Sequence, residues 1–367
     1  MWPLIGNFLM IGVGLAFIYL AISRGYEPFL LIPIGFGAIL ANVPYAGLAA
    51  PHGVLDTLRR SGIENELLPA LMFVSIGAMC DFTSLIRRPI LLLFAAAGQL
   101  GIFVSLNVSL ALGFTPFEAS SIGIIGAMDG PTAIMVTQRL APHLLGPVSV
   151  CAYSYMSLVP LLQRPLSKLL TTTEERRIRM EYASGELPRS VRVAFPIAVF
   201  LVSSLVAPQG ALLMGCLMLG NLIRESGVAR RLSEGAQNEL ANIVTLLLGL
   251  SIGGTMEAES FLTPTTLHIF ALGLVAFVSA ISLGILFAKA TNALTGGKVN
   301  PLIGACGVSA FPMAARTAHA LGREEDPDNW LLPQSLATNV GGQIASVAAG
   351  GAILTYAPLV LSLLGIA

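Results

Sequence analysis

The sequence predicts an all-α polytopic membrane protein of about ten to twelve membrane elements, in two repeats, inverted by preference, whose broken or re-entrant helices meet near the bilayer midplane. Three observations predict it. Hydrophobic residues make up 55% of the 367 positions and charged residues only 11%, whereas an ordinary soluble domain is about 25% charged. Apolar stretches long enough to cross a hydrocarbon core of about 30 Å recur along the chain. Short motifs of the first half return, in the same order, in the second.

The elements follow in order. Residues 1–24 read as a retained first span: they are apolar from the start, with no positive leading segment and no clear cleavage site. Arg24 after this span leans towards an outside N-terminus. Further full-length spans are expected near residues 89–113, 145–163, 191–207 and 265–290. Shorter or interrupted segments lie near 28–43, 67–80, 121–137, 209–223, 240–256, 300–318 and 331–356, many with Gly, Pro or Asn where a lipid-facing helix would carry Leu. Such segments predict broken helices.

The longest polar connector, Gln163 to Ser190, holds Arg164, Lys168, Arg176, Arg177, Arg179 and Arg189, and a basic cluster beside span ends belongs on the cytoplasmic side. It divides the chain into an N-terminal span (1–24), a first repeat (25–163), the connector (164–190) and a second repeat (191–367). The acidic "REEDPDNW", Arg323 to Trp330, reads as a solvated turn. The repeat rests on three recurrences: "AILAN" ending at Asn42 with "CLMLGN" ending at Asn221, "SIGAM" (Ser75 to Met79) with "SIGGTM" (Ser251 to Met256), and "IIGA" (Ile124 to Ala127) with "LIGA" (Leu302 to Ala305). Arg87 and Arg88 follow the first "SIG" motif and Glu257 and Glu259 the second, which favours opposite orientations.

Composition also excludes. Twenty basic and twenty acidic residues cancel, so nothing points to a nucleic-acid partner. Cys80, Cys151, Cys216 and Cys306 stand singly in apolar stretches and read as packing residues. The four histidines form no metal constellation.

Of the twenty acidic residues, Asp129 alone lies well inside an apolar segment, "IIGAMDGPTAIMV". A central aspartate costs about 2.5 to 3.5 kcal/mol on insertion scales, which makes it a candidate for an ion or proton pathway. Gly130 and Pro131 interrupt the helix and free carbonyl oxygens, and Thr132 adds a hydroxyl, together the hard oxygens that a small cation such as Na+ takes. The competing structural account is a carboxylate capping a broken helix whose first turn holds Pro131.

The facing segment "NPLIGACGVSAFPMAAR" offers Asn300, Ser309 and Arg316, with Gly304, Gly307 and Pro312 as breakers. Asn300 before Pro301 equally reads as a helix start, Ser309 as bonding back to its own helix, and Arg316 as snorkelling at a span end. Tyr153 and Tyr155 fit an interfacial aromatic belt. "ATNVGGQIASVAAGG" reads first as close helix packing, leaving Asn339, Gln343 and Ser346 as weaker site candidates.

At these residues the sequence resembles a known family, the β subunits of the biotin-dependent, sodium-translocating carboxylic acid decarboxylases. "EPFLLIPIGFGAILANVP", "IGAMCDF", "GAMDGPTAI", "YSYMSLVPLLQ", "TTTEERRIRM", "SIGGTMEAESFL" and "GVSAFPMAAR" with the trailing "LATNVGGQIAS" carry the likeness in order over nearly the whole chain. The resemblance implies a multi-pass subunit of a prokaryotic inner membrane that decarboxylates carboxybiotin held on a partner chain, consumes a proton and moves Na+ outwards. It implies Asp129 as the Na+- and proton-coupled carboxylate, with Thr132 beside it, Tyr155 as a proton participant, Asn300, Gly304 and Ser309 at cation sites, and Arg316 as a catalytic charge at the carboxybiotin site. It implies as partners a biotin carrier protein or domain, a carboxyltransferase α subunit, a small γ- or δ-type membrane subunit, and further copies of the chain. Lys168, Lys289 and Lys298 lack Met neighbours, so the biotin is expected on another chain or domain. The chain departs from the family in Cys80, often Thr, and in Arg164, often Pro. The competing class is a Na+-coupled secondary transporter of an organic anion with no chemistry.

Overall fold

A computed structural model describes residues 2–25, 27–181, 185 and 187–363. Every regular element among them is helical. The principal helices are α1 (Trp2–Arg24), α2 (Pro28–Ala41), α3 (Leu67–Met79), α4 (Leu91–Ala111), α5 (Pro116–Gly123), α6 (Gly130–Leu140), α7 (Leu145–Ser157), α8 (Val159–Leu170), α9 (Arg189–Val206), α10 (Ala211–Ser226), α11 (Ala241–Gly254), α12 (Pro264–Leu294), α13 (Met313–Glu325) and α14 (Leu332–Leu363).

Five helices among the described residues, α1, α4, α9, α12 and α14, are long and apolar enough to cross a membrane, or six spans if the bent pair ending in α7 and α8 counts as one. Full-length spans are therefore fewer than the elements the sequence suggests; short helices and breaks supply the rest. Two segments differ from expectation. Of residues 331–356, read as interrupted, all but Leu331 lie in one continuous 32-residue helix, because its glycines leave the hydrogen-bond ladder intact and permit close packing. Residues 145–163, read as a full-length span, bend by 63° between Ser157 and Val159, where Pro160 in the first turn of α8 lacks an N–H to continue the ladder.

The recurring motifs pack against each other across the chain's midpoint. Helix α2 lies on α11 through Gly37 and Gly253: a Cβ on Gly253 would stand 2.1 Å from the Ile34 carbonyl oxygen. Helix α3 lies on α10 through Gly77 and Gly220 in the same way, with 1.9 Å from a Gly77 Cβ to the Leu217 carbonyl. The asparagine closing each motif caps the partner helix. Asn42 donates to the Met256 carbonyl (2.7 Å) and accepts from the Ala258 N–H (3.0 Å), and Asn221 donates to the Cys80 carbonyl (2.9 Å). The breaks repeat the theme, Gly126 lying against Gly101 of α4 and Gly304 against Gly284 of α12.

The acidic turn is largely exposed, as expected, and is also tied to the connector by ion pairs. Arg176 pairs with Glu325 (2.6 Å), Arg179 with Asp326 (2.6 Å), and Lys168 (3.1 Å) and Arg164 with Glu324. The Arg164 departure thus has a partner inside the chain. Residues 164–170 of the connector continue α8. All four cysteines are free, and three are buried.

Candidate functional site

Two breaks cross at the centre. In the first, a 3-10 turn (Ile124–Ala127) ends at Met128 with φ 53°, Asp129 is extended, and α6 begins at Gly130. In the second, a 3-10 turn (Pro301–Cys306) runs into the non-helical stretch Gly307 to Pro312 before α13. The backbones meet directly, the Ser309 N–H donating to the Ala127 carbonyl at 3.0 Å.

Asp129 is 3% exposed. Its Oδ1 accepts from the Thr132 N–H (3.2 Å), and its Oδ2 from the hydroxyls of Thr132 (2.9 Å) and Ser346 (2.6 Å). The first bond caps α6, where the helix dipole favours a negative group. Among the described residues no Lys or Arg forms an ion pair with it, so its charge is balanced by neutral donors alone, an arrangement in which a cation or a proton completes the neutralisation.

Ser346 reaches Asp129 because α14 presents small residues at four-residue spacing on one face. A Cβ on Gly350 would stand 2.5 Å from the Thr132 Cγ2. One turn earlier Ser346 bonds Asp129, and one turn earlier again the Gly342 carbonyl accepts the Ser309 hydroxyl at 2.8 Å. The small-residue motif therefore serves packing and ligation together. Gln343 donates its amide nitrogen to the Ser309 carbonyl, leaving its Oε1 as a further hard donor.

The carbonyls freed by the breaks are mostly taken. Gln99 donates to the Gly307 carbonyl (2.9 Å) and Asn339 to that of Val308 (2.6 Å), as Ser309 N–H does to Ala127. Side-chain oxygens available to a small cation are the Asp129 carboxylate, the hydroxyls of Thr132, Ser346 and Ser309, and the Gln343 amide.

A cavity of ≈ 240 Å³ opens beside these groups, reached by Asp129, Ser309, Gln343 and Tyr153, with walls that include Phe29 and Met72. Tyr153 is 2% exposed and its hydroxyl has no partner among the described residues. Its ring lies flat on Gly130, where a Cβ would stand 2.1 Å from the Tyr153 Cζ, so only glycine fits at the start of α6.

The structure brings Asp129, Thr132 and Ser309 together with the weaker candidates Ser346 and Gln343, and places Tyr155, Asn300, Gly304 and Arg316 elsewhere. Tyr155 does not reach the cavity; its hydroxyl donates to the Phe270 carbonyl at 2.7 Å, tying α7 to α12. Asn300 donates to the Arg176 (2.9 Å) and Ile178 (2.8 Å) carbonyls and caps Leu302, so it pins the polar connector. Gly304 serves the close approach to α12. Arg316 is exposed on the first turn of α13, and its charge acts on Glu27, which lines the cavity. Tyr153, read as part of an aromatic belt, is the residue that sequence reasoning passed over.

Outside the membrane-spanning segments, the His52 N–H and then the Arg59 and Arg60 guanidiniums lower the Asp56 carboxyl from 3.8 to about 2. The Arg179 guanidinium likewise lowers Asp326.

Comparison with known proteins matches residues 6–357 to the family described as Na+-transporting oxaloacetate decarboxylase beta subunit. The chain is 50% identical over 349 residues to the glutaconyl-CoA decarboxylase subunit beta of Acidaminococcus fermentans, covering 95% of this chain and 92% of that one. It is 49% identical to the methylmalonyl-CoA decarboxylase subunit beta of Veillonella parvula, with the same coverage, and 41% identical to the oxaloacetate decarboxylase beta chain of Haemophilus ducreyi, covering 96% and 95%. The chain thus belongs to the family of Na+-transporting oxaloacetate decarboxylase beta subunits and is the multi-pass membrane subunit of a Na+-translocating decarboxylase.

Proposed function

We propose that Asp129 exchanges a proton for Na+ at the crossing of the two breaks, and that this exchange couples decarboxylation of carboxybiotin to outward Na+ movement. The observation carrying the reading is a buried carboxylate held by hydroxyls and an N–H, with no cationic side chain paired to it. In the coupled step Na+ binds the Asp129 carboxylate and the displaced proton passes to the biotin nitrogen. The N–C bond of carboxybiotin breaks there and CO2 leaves. Charge balances, because a cation enters the site as an anion is consumed. A proton returning to Asp129 then releases Na+.

Thr132, Ser346, Ser309 and Gln343 supply the remaining oxygens. Tyr153, the hydroxyl that lines the cavity, passes the proton, and Tyr155 positions α7 through its bond to Phe270. Arg316, beside Glu27, attracts the anionic head group towards the cavity, whose apolar walls and amide and hydroxyl groups match the ring edge and oxygens of a bicyclic urea. Asn300 and Gly304 act on the cation indirectly, by fixing the second break. The biotin arrives on a carrier chain charged by a carboxyltransferase, at the basic face of a prokaryotic inner membrane. The reciprocal α2–α11 and α3–α10 contacts support two repeats meeting at this site.

The experiment is turnover of the complex reconstituted with its partners. CO2 release from carboxybiotin is expected to require Na+ and to disappear in Asp129→Asn; Na+-independent release in the wild type would overturn the proposal.

A further inference from the structure

Three helices each run from the Asp129 cavity to a second cavity of ≈ 450 Å³. On α6, Gly130 and Pro131 line the first and Gln138 the second; on α7, Tyr153 and Gly146; on α11, Thr245 and Gly254. The bent span fixes the order: second cavity, Tyr153, then α8 leading to the basic connector. The second cavity therefore opens on the face opposite the connector, the outer face if the basic connector is cytoplasmic.

In the interval each helix carries one buried hydroxyl without a partner among the described residues: Thr137 (0% exposed), Ser149 (1%) and Ser251 (0%). Buried hydroxyls in helices ordinarily find a carbonyl, and three orphans on three neighbouring helices call for a common explanation. Two of them share a seam. Gly130 of α6 lies on the ring of Tyr153 of α7. From that contact Ser149 is one turn outward on the same face of α7, and Thr137 is two turns outward on the same face of α6. Ser251 stands one turn from Thr255, whose Oγ1 would lie 3.0 Å from a Cβ on Gly146. From Tyr153 to Gly146 the separation is about 10 Å at 1.5 Å per residue. The second cavity is lined by Asp56, Glu64 and Glu257; Asp56 pairs with Arg59 (2.6 Å) and Arg60 (2.9 Å) and Glu64 with Arg59, which leaves Glu257 as the lining carboxylate with no ion pair among the described residues.

Resting on the reading of Asp129 as the cation carrier, we infer that Thr137, Ser149 and Ser251 form the oxygen-lined outlet through which a monovalent cation leaves Asp129 for the second cavity, where Glu257 stands unpaired. Hydroxyls suit this role because they bind a hard cation weakly enough to let it go, and the Glu257 carboxylate beyond draws it outwards. Gly146 keeps α7 close to Thr255 at the far end.

The test uses the reconstituted complex in vesicles and compares wild type with Thr137→Val/Ser149→Ala/Ser251→Ala. The Na+ moved per CO2 released is expected to fall roughly tenfold or more, as an apolar constriction replaces a polar one, while Na+ still stimulates CO2 release by the detergent-solubilised complex. An unchanged ratio would overturn the outlet. If the triple variant fails to assemble, Ser149→Cys provides the test: a small cationic thiol reagent added outside should label it above the wild-type level, and absence of added labelling would overturn the outlet. Asp129→Asn separates the two readings, because Na+ stimulation surviving in that variant removes the carrier assignment and leaves the labelling result standing on its own.

Discussion

Asp129 combines two demands usually met by different residues. As the N-cap of α6 it must accept from the Thr132 N–H, and as a carrier it must present a second oxygen to something that comes and goes. Asn meets the first demand as well as Asp does. Asp129→Asn is accordingly expected to fold and melt like the wild type while losing Na+-dependent turnover, so a large drop in melting temperature would show a structural role instead. Ser346→Ala removes one donor to Oδ2 and should raise the Na+ concentration for half-maximal turnover by roughly 10- to 100-fold, as loss of a ligand-orienting partner does. The tyrosines should separate. Tyr155→Phe loses its bond to the Phe270 carbonyl and is expected to cost about 1 kcal/mol in unfolding. Tyr153→Phe deletes an orphaned hydroxyl, so stability should hold or rise while turnover falls. At this scale the sequence reveals Asp129 because an acid in an apolar run is costly wherever it packs. Ser346 is legible only as a weaker candidate and Tyr153 only as an aromatic-belt residue, because their places at the site depend on which helix faces lie opposite.

Helix pairing is governed by glycines that let backbones touch. In a membrane the lipid is as apolar as leucine, so close packing, and no hydrophobic contrast, holds helices together. Gly253→Ala would press a methyl to 2.1 Å from the Ile34 carbonyl, and the strain of overpacking should cost about 1 to 3 kcal/mol in thermal or denaturant unfolding. The recurring motifs are legible in sequence, and four of the full-length segments it marks, α1, α4, α9 and α12, are long apolar helices. The bend between α7 and α8 and the continuity of α14 are not legible, because proline and glycine counts leave open whether a helix kinks or only packs tightly. A pH effect belongs to the loop carrying Asp56. A carboxyl lowered from 3.8 to about 2 stabilises its folded loop fully above 3.8 and loses that contribution as pH falls through about 2. Hydrogen exchange over residues 52–64 should thus stay protected until the pH enters that window, and Asp56→Asn should flatten the dependence.

For the whole molecule, the central question is how a chemical event on one face moves a charge across the bilayer. Carrying one charge against 100 mV costs about 2.3 kcal/mol, so one or two cations per decarboxylation is a reasonable load. The ion pairs joining the connector to the Arg323–Trp330 turn lie at the membrane edge, where single pairs contribute about 0 to 1 kcal/mol. They rigidify the basic face, while the cavity holds two carboxyls, Asp129 at the crossing of the breaks and Glu27 at its wall. The measurement closest to the central claim is proton release on adding Na+ to the purified chain in weak buffer. One proton is expected to appear for each Na+ bound at Asp129, with none released and no Na+ bound there in Asp129→Asn. Na+ binding of unchanged affinity in that variant, or binding without proton release in the wild type, would contradict the account.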